Sequence, residues 1–255
     1  MANGVDDSST LCVTPVFDKI IQTVETQNLF LTILNTRFNA KIPLQSSPWK
    51  TICYGKPTKL HRGESRFKAP TSRLTWLINN LFGNTSLIGR IHSKNPITKE
   101  KRIALLSGDE NIRREAIDAI MAHRQERWMV FEGATAPDVC IQTKDFVIVI
   151  EGKQTEGKRT TETCWGAERD QLIRHMDAFL DDPTRNVYGL FIYEDNKTAH
   201  YNFAEYKSET IFHNSLIHRD RLLIKKAKSG FLGALTWDEL ASEFGAVVKH
   251  KTKQK

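Results

Sequence analysis

The chain has 255 residues, 40% hydrophobic and 26% charged, with a net charge of +7 and a pI near 9.2. This is globular composition, long enough for one large domain or two small ones, and its basic balance points to a polyanionic partner. No run of 18 apolar residues and no basic-then-apolar leader is present, and Cys12, Cys53, Cys140 and Cys164 show no CxxC spacing, so no transmembrane helix, signal peptide or zinc site is expected and the compartment reads as cytoplasmic.

Residues 1–10 are polar and expected to be disordered. A helical pattern follows over 14–39, through Phe17, Ile20, Ile21, Val24, Leu29, Leu31, Ile33 and Leu34, with a break near Gln27 and Asn28. The texture then changes. Prolines and glycines punctuate 41–99, and between positions 36 and 105 fourteen Lys or Arg stand against Glu64 and Glu100. Aromatic residues are interleaved, and 76–82 reads as a core helix. Lys50, Lys56, Lys59, Arg62, Arg66, Lys68 and Arg73, opposed only by Glu64, read as a phosphate-contacting surface. The plainer alternative is a solvated loop.

A helix is expected over 109–127, capped by Ser107 or Asp109, with Ile112, Ala116, Ala119, Ile120 and His123 as its apolar stripe and Glu115 at the flank. Residues 128–132 would be a first strand, and 133–136 a loop. The central stretch, 135–156, then reads as a strand over 139–143, a turn at Lys144-Asp145, and an apolar strand over 146–150 ending in Glu151-Gly152-Lys153. Alternation puts Val147, Val149, Glu151 and Lys153 on one face, with Phe146, Ile148 and Ile150 on the other. A two- or four-residue hairpin loop sets Asp138 opposite Glu151; a three-residue loop shifts the register by one. Two opposed carboxylates repel unless a cation lies between them, and oxygen ligands beside a lysine suit Mg²⁺ or Mn²⁺.

Pro137-Asp138, twelve intervening residues, and Glu151-Gly152-Lys153 resemble the signature of the PD-(D/E)XK nuclease superfamily, over roughly 109–194. The resemblance implies an α/β fold with a central mixed sheet flanked by helices (restriction-endonuclease-like). Its function would be divalent-metal-dependent hydrolysis of phosphodiester bonds, in DNA before RNA. It casts Asp138, Glu151 and Lys153 as catalytic, with Asp138 and Glu151 holding Mg²⁺ or Mn²⁺. It also implies a further acidic ligand from the preceding helix, where Glu115 fits best and Glu126 and Glu132 are rivals, and a metal contact from the carbonyl of Gln154. Gln171 is the accessory residue that RecB-like branches carry on the following helix.

That following helix is expected over 167–180, with Leu172, Met176, Phe179 and Leu180 buried and His175 at the surface or partly buried rather than acting as a general base. A strand over 186–194 returns to the sheet. Residues 200–223 are ambiguous, 219–228 form a second basic cluster, and 233–237 is a last strand or turn before a helix over 237–244. The expected division is a helical, loop-rich, basic region over 1–105, a nuclease core over 106–248 and a basic tail over 249–255. A homodimer stays open. The alternative function is a nucleic-acid-binding protein that keeps a nuclease-like fold without cutting.

Overall fold

In the computed structural model, residues 9–59, 61–124, 126–153, 165, 168–194 and 203–249 are described. The polar start over 1–8, Gln154, Cys164 and most of the tail lie outside them.

A π-helical turn, Ser9–Val13, leads into α1, Thr14–Ile20, and then α2, Val24–Phe38. The helical stretch breaks at 21–23, earlier than expected, because Thr23 forms a reciprocal capping box with Thr26 and starts α2 afresh. Strand β1, Thr51–Tyr54, rises out of the proline-rich segment. Helices α3, Thr71–Leu81, α4, Pro96–Leu106, and α5, Glu110–Met121, follow, with α5 capped by Asp109 through the Asn111 and Ile112 amides. Then come β2, Val139–Gln142, β3, Phe146–Lys153, α6, Gln171–Asp177, and β4, Asn186–Tyr193. A 3₁₀ turn, α7, Glu209–Ser215, α8, Arg221–Gly230, β5, Phe231–Thr236, and α9, Trp237–Phe244, complete the fold.

The five strands form one mixed sheet in the order β1-β2-β3-β4-β5. The first two pairings are antiparallel and the last two parallel, so β3 reaches β4 through α6, and β4 reaches β5 through α7 and α8. One face, with Phe146, Ile148 and Ile150 at its centre, packs under α1, α2 and α9. The other, with Val147 and Val149, packs under α6, α7 and α8. The expected α/β class with a helix-flanked mixed sheet is therefore what the chain adopts.

One expectation about the strands is corrected. Residues 128–132 are not a strand. Trp128, Met129 and Phe131 sink into a third core cluster built on α3, α4 and α5. Arg102 donates to the Trp128 and Val130 carbonyls at 2.8 and 3.0 Å, taking acceptors that a strand ladder would use. The strand that pairs with β2 is β1, four residues too short to stand out among prolines. The packing runs across the expected boundary at 105/106. Helices α1 and α2 and strand β1 belong to the sheet core, whereas α3 and α4 pack with α5 across that boundary. Among the described residues no helix is long and apolar enough to cross a membrane.

Candidate active site

The site grows from the β2–β3 hairpin. Val139 pairs with Ile150 and Ile141 with Ile148, so the next step along this register sets Asp138 against Glu151. Strand β3 continues through Glu151-Gly152-Lys153 because its parallel ladder with β4 runs on to Tyr193. The alternation therefore carries Glu151 and Lys153 onto one face, as expected. Glu151 is 5% and Lys153 3% exposed, and Lys153 Nζ donates to Glu151 Oε1 at 3.0 Å.

Asp138 docks back onto this strand. Its Oδ2 accepts the Gly152 N–H at 2.6 Å. A Cβ on Gly152 would stand 3.0 Å from that oxygen and 3.1 Å from Cζ2 of the buried Trp237. Glycine here leaves the room in which the carboxylate lies. Burial, followed by the charge of Glu151, raises the Asp138 carboxyl well above the ordinary carboxylate range; the Gly152 N–H opposes this and Glu64 adds to it. A carboxylate set against Glu151 in this way forms a donor set that a hard cation would relieve. Among the described residues no three His, Cys, Asp or Glu side chains are grouped as a metal cage.

Helix α6 supplies the other wall. Asp170 caps it through the Ile173 amide, and its first residue, Gln171, accepts from Lys153 Nζ through Oε1 at 3.3 Å. One turn later His175, 2% exposed, places Nε2 3.0 Å from Glu151 Oε2 and Nδ1 2.6 Å from Thr135 Oγ1. The expectation of a surface or partly buried histidine is corrected. It is buried, with both ring nitrogens engaged.

The expected residues thus divide. Asp138, Glu151, Lys153 and Gln171 converge. Glu115 does not: it lies on the exposed side of α5 and pairs with Lys101 of α4. Its rivals are also occupied. Glu126 accepts from the Trp128 indole at 3.0 Å, and Glu132 is buried among Arg73, Arg169 and Arg174. Gln154 lies outside the described residues.

Of the basic segment, Lys50, Lys56, Lys59, Arg62, Arg66 and Lys68 are exposed. Lys50, Lys59 and Arg62 line one cleft of about 270 Å³ beside β1. A two-way backbone bridge between Phe67 and Thr135, at 2.7 and 2.8 Å, ties this segment to the chain three residues ahead of Asp138. Arg73 is corrected. It is 2% exposed, stacks on Trp76 and donates to Glu132 at 2.9 Å, so its guanidinium is engaged inside the fold rather than at the surface.

The residues that sequence reasoning passed over are Thr135, Gly152, His175 and Glu64. His175 had a signal, one helical turn from Gln171; Glu64 had another, as the lone acid in a basic run. Comparison of the chain with protein-family models, with curated proteins and with solved structures yields no match.

Proposed function

We propose that this chain is a divalent-metal-dependent nuclease of restriction-endonuclease-like build that hydrolyses phosphodiester bonds in DNA. The observation that carries the reading is the buried Glu151–Lys153 pair with Asp138 docked beside it on the Gly152 N–H, its carboxyl raised by burial and then by Glu151. A lone ion pair at a sheet edge needs no second carboxylate facing it. The mixed sheet, the hairpin register and the exposed basic segment linked to Thr135 support the same reading.

In this reading Asp138 and Glu151 would hold Mg²⁺ or Mn²⁺, which would supply Lewis acidity when bound. Lys153, fixed between Glu151 and Gln171, presents its ammonium to the charge that develops on the phosphate. Gly152 keeps Asp138 aligned through its N–H. The exposed lysines and arginines of 50–68 hold the phosphate backbone.

A second reading, nucleic-acid binding without cutting, draws on Glu151, both of whose oxygens already accept, from Lys153 and His175. Labelled duplex DNA incubated with the protein in Mg²⁺, in Mn²⁺ and in EDTA separates the two. The nuclease reading expects cleavage in either metal, none in EDTA, and none from Glu151→Gln. Tight binding with intact substrate in every buffer establishes the second reading, and full cutting in EDTA overturns the first.

A further inference from the structure

We infer that His175, oriented by Thr135, is the positioning residue that fixes the Glu151 carboxylate for cation binding; this rests on the nuclease reading of the same site.

Gln171 and His175 stand four residues apart on α6, so they share one helix face about 6 Å apart along the axis. Glu151 and Lys153 stand two residues apart on β3, about 6.6 Å along the strand. The spacings match closely enough for each helix residue to meet one strand residue: Gln171 meets Lys153 at 3.3 Å and His175 meets Glu151 at 3.0 Å. One helix face thereby holds both members of the ion pair.

The direction of the His175 bonds follows from its neighbours. An ionised Glu151 only accepts, so His175 Nε2 carries the proton and donates. In the neutral ring Nδ1 then accepts the Thr135 hydroxyl proton, and Thr135 selects the tautomer that Glu151 needs. Thr135 is itself held, because its N–H and C=O both bond to Phe67. Glu151 receives one donor on each oxygen, Lys153 on Oε1 and His175 on Oε2. Its plane cannot turn without breaking one of them, and each oxygen keeps a lone pair for a cation. With both nitrogens committed and the ring buried, His175 has no access to act as a general base. Its work is orientation, and hydrogen-bond partners of this kind typically govern metal affinity about 10–100-fold.

The test uses the full chain. Mn²⁺ is titrated calorimetrically into the wild type, His175→Ala, His175→Gln and Thr135→Val without nucleic acid, and single-turnover cleavage of duplex DNA is followed against Mg²⁺ concentration. His175→Ala is expected to weaken Mn²⁺ binding about 10-fold or more and to raise the Mg²⁺ needed for half-maximal rate in parallel, with DNA affinity unchanged. His175→Gln, which retains an N–H donor, should recover most of the loss. Nitrogen-15 shifts of His175 in the metal-free wild type should report a proton on Nε2; a proton on Nδ1 alone overturns the inference independently of any activity.

A folded His175→Ala with wild-type Mn²⁺ affinity and Mg²⁺ dependence overturns it too, as does a glutamine variant no better than alanine. If His175→Ala does not fold, Thr135→Val, which preserves volume, decides. A shifted tautomer with weakened Mn²⁺ binding supports the inference, and unchanged values overturn it. A wild type that binds no Mn²⁺ and cuts nothing refutes the nuclease reading itself, whereas a cutting wild type with an indifferent His175 refutes only this inference.

Discussion

Gly152 has no room to grow: its missing methyl group would meet Asp138 on one side and Trp237 on the other. Gly152→Ala should therefore push the carboxylate off its N–H donor, costing about 1–3 kcal/mol of stability and most of the cleavage rate. Thermal melting and single-turnover cleavage check this; wild-type values for both would show that the carboxylate can move freely. Asp138 carries a second consequence. Because burial and Glu151 raise its carboxyl, the folded state is penalised as pH climbs above the unfolded value of about 3.9. In EDTA, Asp138→Asn should match the wild type near pH 3 and melt at an equal or higher temperature near pH 7.5. Added Mg²⁺ should raise the wild-type melting temperature and leave the variant unmoved. A variant that melts well below wild type at pH 7.5 in EDTA would refute the repulsion.

Helix α6 has a second side. While Gln171 and His175 face the strand pair, Asp177 anchors its far end, accepting from Arg169 at 2.7 Å and from Arg219 at 2.7 Å, with His218 at 2.9 Å. Arg169 also reaches Glu132, which takes Arg73 from α3. One polar network therefore joins α6, α3 and three connecting segments. Burial alone would raise the Asp177 and Glu132 carboxyls, but the arginines around them outweigh it and hold both below the usual range. Carboxyls lowered in the fold add stability that is complete above about pH 4 and fades as pH falls further. Denaturant titrations between pH 6 and pH 2.5 should show this loss, largely cancelled in Asp177→Asn. Asp177→Ala at pH 7 leaves Arg169 and Arg219 without a counter-charge and should cost about 3–5 kcal/mol. A loss under 1 kcal/mol at that pH would make the network dispensable.

Across the whole molecule, the exposed cations of 50–68 border β1 and, through the Phe67–Thr135 bridge, the hairpin that carries Asp138. If they follow a phosphate backbone, each contact contributes about 0.9 to the slope of log affinity against log salt on duplex DNA. Neutralising Lys56, Lys59, Arg62 and Arg66 together in a Glu151→Gln background should lower that slope by roughly 3–4. Arg73 should contribute nothing to the slope, since its charge is spent on Glu132. A slope equal to the parent protein's would remove this surface and turn attention to Arg221 and Lys225 on α8, both exposed.

The sequence by itself determined what local patterns can specify. Alternating Val and Ile fixed the two faces of β3, and a two- or four-residue turn at Lys144-Asp145 offered Asp138 opposite Glu151; the ladder of β2 with β3 chose that register over the one-residue shift. The helix over 237–244 was equally legible, and in the fold Thr236 and Glu239 close its start with a capping box. Tertiary structure decided the rest, because burial and partner choice depend on residues far apart in the chain. Glu115 turned outward once Lys101 of α4 lay beside it, and Arg73 left the surface because Glu132, 59 residues away, came to meet it. His175 became part of the site because α6 crosses β3 at the one offset that brings a helical turn against two residues of strand. Sequence spacing along either element alone carries no information about that crossing.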